Sequence, residues 1–440
     1  MNQKKISVAL VSNDKIGKMM AGPGIRYFEL AKTFSKFFKV TLFVPDNCDI
    51  SSADFKIIVY NSKKQSSSIA NSLLGIDVIL AQSLRPPLLR VINNKKIKFI
   101  ADLYDPLIIE MLEYTKLDPE RIRKNIYDFN YHTLLLQLNT ADHILCSSEK
   151  QKDLYIGLLS REKRVTPNEY SESPDLKNLI SILPFGTPCK KFEKINADSL
   201  ENKFPQIKRT DTLIYWGGGI WNWFDPITVV KAIENISKKR KDIKLLFLGT
   251  AHPNPKIKTM EMVQRTVDFC KEKDLLDKVV FFNFGWTPYE ERVKYLSRAD
   301  IAISTHFKNL ETRFSFRTRI LDYLWASIPM IVTKGDVLSE FINDKNLGKV
   351  VGYESVNEIE EAILQLADEK IEVQRIKKNI EKINTGLSWD NAASSTISVI
   401  SNNLFNIHKI NWLKFVWLSF NFYLSGSKKK LMRRINEQRK

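Results

Sequence analysis

Ile214 to Pro226 reads IYWGGGIWNWFDP: a short apolar run, three consecutive glycines, then two tryptophans around an asparagine. Glycines directly after a strand-like run leave backbone N–H groups accessible to an anionic ligand, and the tryptophans offer flat faces to a sugar or a base. The same letters also describe a tight turn packed under core aromatics. No Gly-Lys-Ser/Thr follows, as a P-loop requires, and the GxGxxG spacing of a dinucleotide fold is missing. The rest of the chain has to decide.

Upstream, short β-rich runs alternate with amphipathic stretches: KISVALVS, IRYFELAKTFSKFF, KVTLFVP, FKIIVYN, IDVILAQS, IKFIADLYDP and ADHILCSS. Strands alternating with helices imply βαβ units and a parallel sheet, with binding loops at the strand C-termini. A polar stretch, TPNEYSESPDLKN (Thr166 to Asn178), reads as a surface excursion or linker, and SILPFGTPCKKF makes the crossover. The pattern then restarts with TLIYWGGG and runs through IKLLFLGT, MEMVQRTVDFCKEKDLL, VVFFNFGW, DIAIST and IPMIVTK. The expected class is α/β: two Rossmann-like, doubly wound domains joined by a linker and facing each other across a cleft suited to a two-substrate transfer.

At 440 residues the chain is too long for one ordinary core. Hydrophobic content of 43% with 27% charged residues fits a soluble, well-packed protein rather than a disordered one. Cys48, Cys146, Cys189 and Cys270 lie far apart without a CxxC pair, which suggests neither a zinc site nor a disulfide framework and fits a reducing cytoplasm. MNQKKISVALVSN reads as a first strand rather than a signal peptide, and no apolar run is long enough for a transmembrane helix.

The formal net charge of +18 calls for a polyanionic neighbour, either nucleic acid or an anionic membrane surface. Its position favours the membrane. From Leu404 the tail crowds Trp412, Phe415, Trp417, Phe420, Phe422 and Tyr423 ahead of Lys428, Lys429, Lys430, Arg433 and Arg434. Aromatic segments beside a basic cluster suit an interfacial anchor on anionic lipid; the plainer reading is a final helix on the core followed by a solvated basic end. No nucleic-acid-binding signature accompanies the charge, so no nucleic-acid partner is expected.

Several segments together resemble the family 4 glycosyltransferases, which have the GT-B fold. AGPGIRYFELAKTFSK resembles the family's glycine-rich loop and first helix, FFNFGWTPYEERVKYLSRADIAIST its strand, glycine loop, helix and Ala-Asp strand. ILDYLWASIPMIVT resembles the segment ending in a proline before a strand, and SWDNAASSTISVI the closing helix that crosses back to the first domain. The resemblance implies an acceptor domain over 1–185, a donor-binding domain over 186–387 and the crossing helix over 388–403; the basic amphipathic tail over 404–440 lies beyond it. It also implies a retaining transfer from a nucleotide-diphosphate sugar to a hydroxyl, with no bound metal and no other cofactor.

Two departures shape the expected site. The family commonly carries two glutamates seven residues apart, and counting back from Pro329 puts Asp322 and Phe314 in those places. Asp322 then holds the nucleotide ribose and Glu311 reaches the sugar. The family's Gly-Arg and following lysine are also missing from IYWGGGIWNWFDP, so Gly217, Gly218 and Gly219 must bind phosphate through backbone, and cations must come from ETRFSFRTRILDY. Arg317 is the first choice for the departing diphosphate and Arg313 the second, with Arg319 expected to face away.

Gly22 and Gly24 let backbone approach the diphosphate, Asn222 and Trp286 complete the donor side, and Trp221 and Trp223 orient donor sugar or acceptor. On the acceptor side, ADLYDP supplies Asp102, Tyr104 and Asp105, the last assigned a catalytic place. None of the five histidines stands out as catalytic; His306, nearest the donor loop, reads as structural. The basic tail suggests a lipid-linked glycan acceptor for a cell-surface polysaccharide such as O-antigen or capsule, at the inner face of the cell membrane. A sugar-nucleotide 2-epimerase and a non-catalytic sugar-nucleotide-binding protein are the rival readings.

Overall fold

Helices cover both faces of a parallel sheet, so its central strands are nearly unbroken apolar runs. The computed structural model describes residues 5–196, 198–255, 257–405 and 410–437. Its first sheet holds β1 (Ser7–Val11), β2 (Lys39–Pro45), β3 (Lys56–Tyr60), β4 (Val78–Ala81), β5 (Lys98–Asp102), β6 (His143–Cys146) and β7 (Ile180–Ile182). Their order is β3-β2-β1-β4-β5-β6-β7, all parallel, and β1 and β4 are buried at every residue. The second sheet holds β8 (Thr212–Gly219), β9 (Ile243–Gly249), β10 (Val280–Phe282), β11 (Ile301–Ser304), β12 (Met330–Thr333) and β13 (Gly348–Val351), parallel in the order β10-β9-β8-β11-β12-β13.

Two units result: one comprises the chain up to Gly17, Pro23–Pro184 and the chain from Ala392, the other Lys18–Gly22 and Phe185–Asn391. Each sheet reverses its order beside its first strand, between β1 and β4 and between β8 and β11. Loops leaving the carboxyl ends of such a strand pair diverge, and the crevice between them is where doubly wound sheets bind ligands.

In the first unit the terminal helix Trp412–Glu437 lies along the helix Glu120–Thr140. Leu418, Phe422 and Ser425 are buried in this contact, with the Phe422 and Phe129 rings 5.4 Å apart. At one end Lys414 pairs with Glu162 at 3.2 Å; at the other Lys429 sits 4.4 Å over the Phe129 ring. One face of this helix is therefore packed on the core of the unit. His408, the side chains of Arg433 and Arg434, and the last residues of the tail, 438–440, lie outside what is described. Among those described, no helix is long and apolar enough to cross a membrane.

The deepest ion pair of this unit corrects an expectation. Arg26, in the helix Gly22–Ser35, and Asp102, at the end of β5, are both fully buried. Arg26 Nε and Nη2 donate to the two Asp102 oxygens at 2.8 and 2.7 Å, and its remaining N–H groups reach the carbonyls of Leu183 and Pro184. Tyr104 is buried with its ring 4.8 Å from the guanidinium, and burial raises its phenol well above the ordinary range. Asp102 and Tyr104 thus face inward rather than toward an acceptor, because a buried guanidinium needs a bidentate carboxylate. Asp105, half-buried beyond β5, accepts the Tyr155 hydroxyl on its carbonyl at 2.6 Å.

Removing one partner of such a pair leaves an uncompensated charge. Asp102→Ala should destabilise the protein by about 3–5 kcal/mol in urea unfolding, and Arg26→Met/Asp102→Leu should recover most of that loss. Wild-type stability in Asp102→Ala would remove the structural role.

Candidate functional site

The three glycines of the opening stretch form the end of β8, at the reversal point of the second sheet. Trp216 pairs with Phe247 and Gly219 with Gly249, so three steps on β8 match two on β9: a bulge that re-aims the strand end. Gly218 takes φ +72°, where a side chain is strained. A Cβ on Gly217 would lie 3.1 Å from the Tyr323 ring, and one on Gly219 3.4 Å from the Trp286 ring. Tyr323 Oη accepts the Gly217 N–H at 2.9 Å and donates to Ile303 O at 3.1 Å, tying β8 to β11. The packed turn is the reading seen here: aromatics press on the glycines, the Gly217 N–H is spent on Tyr323 rather than left for a phosphate, and the bent backbone meets one cation.

That cation is Arg319. The helix Arg319–Trp325 places Arg319 one turn before Tyr323, so both address the glycines. Arg319 Nη2 donates to Gly219 O at 2.6 Å and lies 3.9 Å from the position of a Cβ on Gly218. Its guanidinium carbon is 4.0 Å from the Phe224 ring centre and 5.0 Å from that of Trp216. Among the described residues Nη1 has no hydrogen-bond partner and no carboxylate offsets the charge. Burial lowers its pKa to about 10, so it remains a cation at neutral pH.

The other two arginines differ from expectation. Arg317 is buried, and its Nη1 and Nη2 donate to Glu311 Oε1 and Oε2 at 2.9 and 2.7 Å. Its Nε is 3.9 Å from Asp336 Oδ2. Glu311, itself 3% exposed, is thereby withheld from a sugar, and Arg317 from a diphosphate. Arg313 is exposed, with its guanidinium 5.6 Å from the Phe314 ring centre. The structure puts Arg319, expected to face away, against the glycines instead.

Behind the Arg317–Glu311 clamp, His306 and Asp336 are each 1% exposed. His306 Nε2 lies 3.1 Å from Lys334 O and Nδ1 3.8 Å from Asp336 Oδ2. Burial, with Arg317 acting in the same direction, pushes His306 down to about 3; burial raises Asp336 to about 6 against the pull of Arg317. Asp336 Oδ1 also caps the helix Val337–Lys345 by accepting Ser339 N–H.

The remaining expected donor residues separate into packing and lining. Asn222 Oδ1 accepts the Met262 N–H, capping the helix Glu261–Glu272 instead of facing a sugar. Trp223 is 4% exposed and stacks on Trp221 at 5.2 Å. Trp221, Trp286, His252, Lys258 and Gly219 line a pocket beside the bulge, while the Trp286 indole donates to Met20 O at 3.1 Å. Asp322 pairs with Arg292 at 3.1 Å and remains 35% exposed, which leaves it open to a further partner. Gly22 belongs with the second unit and Gly24 with the first. Among the described residues no group of three or more His, Cys, Asp or Glu side chains is placed to hold a metal ion.

With this geometry in place, known proteins can be compared. Residues 205–383 match the family model of the Glycosyl transferases group 1. No curated protein matches the chain. Among solved structures, a sucrose-phosphate synthase from Thermosynechococcus elongatus matches with a TM-score of 0.61 at 14% identity over 91% of this chain and 99% of that one. Anabaena Alr3699/HepE in complex with UDP and glucose gives 0.62 at 12% identity over 91% and 99%. WaaG, a glycosyltransferase involved in lipopolysaccharide biosynthesis, gives 0.62 at 13% over 90% and 99%. The chain has the GT-B fold of these neighbours, and the segment that matches the group 1 model contains the bulge, Arg317 and Arg319.

The buried pair gives a signed pH dependence. His306 falls from its ordinary 6.5 to about 3, so its contribution to stability is full above pH 6.5 and is lost as pH drops toward 3. Asp336 rises from 3.8 to about 6, so its contribution is present below 3.8 and lost as pH climbs through 6. Over pH 6 to 3.8 the two oppose each other. Asp336→Asn keeps an oxygen cap on Ser339 but removes the acid-side gain. Its stability should fall more steeply than that of the wild type across that window, by an excess of about 2 kcal/mol in melts at stepped pH. Parallel curves would show that the pair does not titrate in this way.

Proposed function

We propose that the protein is a retaining glycosyltransferase of family 4 type that moves a sugar from a nucleotide-diphosphate donor to a hydroxyl of a lipid-linked glycan. The observation that carries this reading is the unneutralised Arg319 guanidinium against the bulged glycines, at the reversal point of a unit matching the Glycosyl transferases group 1. A fixed cation beside bare backbone, walled by Phe224 and Trp216, is suited to the negative charge that builds on a departing diphosphate. UDP bound to Anabaena HepE makes a UDP-sugar the first donor to test.

In the proposed reaction the bond between the anomeric carbon and the diphosphate oxygen breaks on the face where the acceptor oxygen attaches. The leaving phosphate takes the acceptor's proton. Arg319 and the backbone N–H groups of Gly218 and Gly219 stabilise that phosphate, Asp322 holds the ribose, Trp286 borders the base, and side chains rather than a metal supply the cations. Gly22 and Gly24 remain proposed contacts to the diphosphate, and Asp105 the proposed acceptor-side group. The first unit is the acceptor domain, and the reaction takes place at the inner face of the cell membrane, in the synthesis of a cell-surface polysaccharide such as O-antigen or capsule.

The test is a panel of nucleotide-diphosphate sugars incubated with the protein and a membrane lipid extract, following nucleotide release and sugar transfer to lipid. Arg319→Ala should lower transfer by about 100-fold or more while melting close to wild type. Arg317→Ala should instead lose about 3–5 kcal/mol of stability, because it leaves Glu311 buried and unpaired. Free epimerised donor in place of transfer, or tight binding without turnover, would overturn the transferase reading. Equal activity of Arg319→Ala and wild type would remove Arg319 from the site.

A further inference from the structure

A helix at the surface of a globular protein ordinarily turns its apolar stripe inward and its charges outward. The terminal helix Trp412–Glu437 breaks that rule over its first half. Leu418, Phe422 and Ser425 take the inward face against the helix Glu120–Thr140. On the opposite face stand Leu413, Val416, Trp417, Phe420, Tyr423 and Leu424, with Leu413 76%, Phe420 63% and Trp417 56% exposed. Stepping 100° per residue from Leu418, these six fall within one arc, and between Leu413 and Leu424 no charged side chain shares it. The stripe then ends at Lys428 and Lys430, both exposed, while at its start Arg90 lies 5.2 Å from the ring centre of Trp412.

The geometry points to this outer face as an in-plane anchor on an anionic lipid surface: Leu413, Trp417, Phe420 and Leu424 enter the acyl boundary, and Lys428 and Lys430 meet the headgroups. Three observations select this occupant. The helix is laid lengthwise on its neighbour and presents a side rather than an end, which suits an interfacial helix. Its exposed aromatics include Trp417 and Tyr423, whose rings combine an apolar body with a polar edge and suit the headgroup level. The cations at both ends of the stripe complement anionic lipid, whereas a second copy would bring another chain of net charge +18 against them.

The inference rests on the proposed function only in taking a membrane as the place of work, and its test needs no donor, so either can fail alone. The full chain is sedimented with vesicles of phosphatidylcholine and with vesicles containing added phosphatidylglycerol. The wild type should bind the anionic vesicles about tenfold or more tightly than the neutral ones. Leu413→Glu/Trp417→Glu/Phe420→Glu, three exposed positions whose replacement leaves the packed face intact, should weaken vesicle binding by about tenfold or more at an unchanged melting temperature. Lys428→Glu/Lys430→Glu should abolish the preference for phosphatidylglycerol alone. Undiminished sedimentation of the triple variant would overturn the proposal. So would a wild-type dimer that ignores vesicles and that the triple variant converts to monomer, since a second copy would then cover the face.

Discussion

The candidate site depends on one hydrogen-bonded bend. Tyr323 grips the N–H of Gly217 and the carbonyl of Ile303, and beyond that grip β8 gains its extra residue, with Gly218 in a conformation few side chains tolerate. The bend carries the Gly219 carbonyl to Arg319 and admits the Trp286 ring beside it. A side chain at Gly217 would push against Tyr323, and one at Gly219 would push against Trp286. The run of glycines is thus set by the aromatics and the guanidinium that must reach it, not by a phosphate-binding motif of fixed spacing.

Charge in this unit is distributed by pairing. Three arginines occur within seven residues, and each has a different fate. Arg313 goes to solvent, and Arg317 is neutralised by Glu311 with Asp336 nearby. Arg319 alone keeps an unneutralised charge beside ring faces and a carbonyl. Holding a cation there is costly, since burial disfavours it and Arg317 repels it. The rings of Phe224 and Trp216 and the Gly219 carbonyl offset part of that cost, and an anion would offset the remainder. A half-compensated cation of this kind is what distinguishes a binding position from a structural ion pair.

The fold was legible because parallel strands buried on both faces leave apolar runs such as VILA and IKLLFLG, and turn signals separate them from amphipathic helices. The importance of the glycine stretch was legible for the same reason: it follows such a strand. The assignment of individual side chains was not, because pairing partners are distant or out of phase. Asp102 is claimed by Arg26, 76 residues away, and Asn222 by a helix start 40 residues on. Arg317 and Glu311 are only six residues apart, but a turn between two short helices brings them together, and no helical periodicity reports that. One signal was available for Arg319. Tyr323 stands four residues later on the same helix, so a residue packed under the glycine strand places Arg319 on the same side.

Composition announced the terminal helix but left its orientation open. With aromatics on nearly every side, an apolar helix looks the same whether it buries one face or two. The backbone contact decides: once Leu418 and Phe422 are committed to the helix Glu120–Thr140, the 100° step turns Leu413, Trp417, Phe420 and Leu424 outward. A core contact and an exposed apolar stripe are then consequences of the same sequence, not alternatives. The inward face holds the helix against Glu120–Thr140 of the same unit, and that fixed orientation is what keeps the outer face continuous. A helix free to rotate would collapse its aromatics onto the nearest apolar surface, so the packing on Glu120–Thr140 is itself the condition for presenting them.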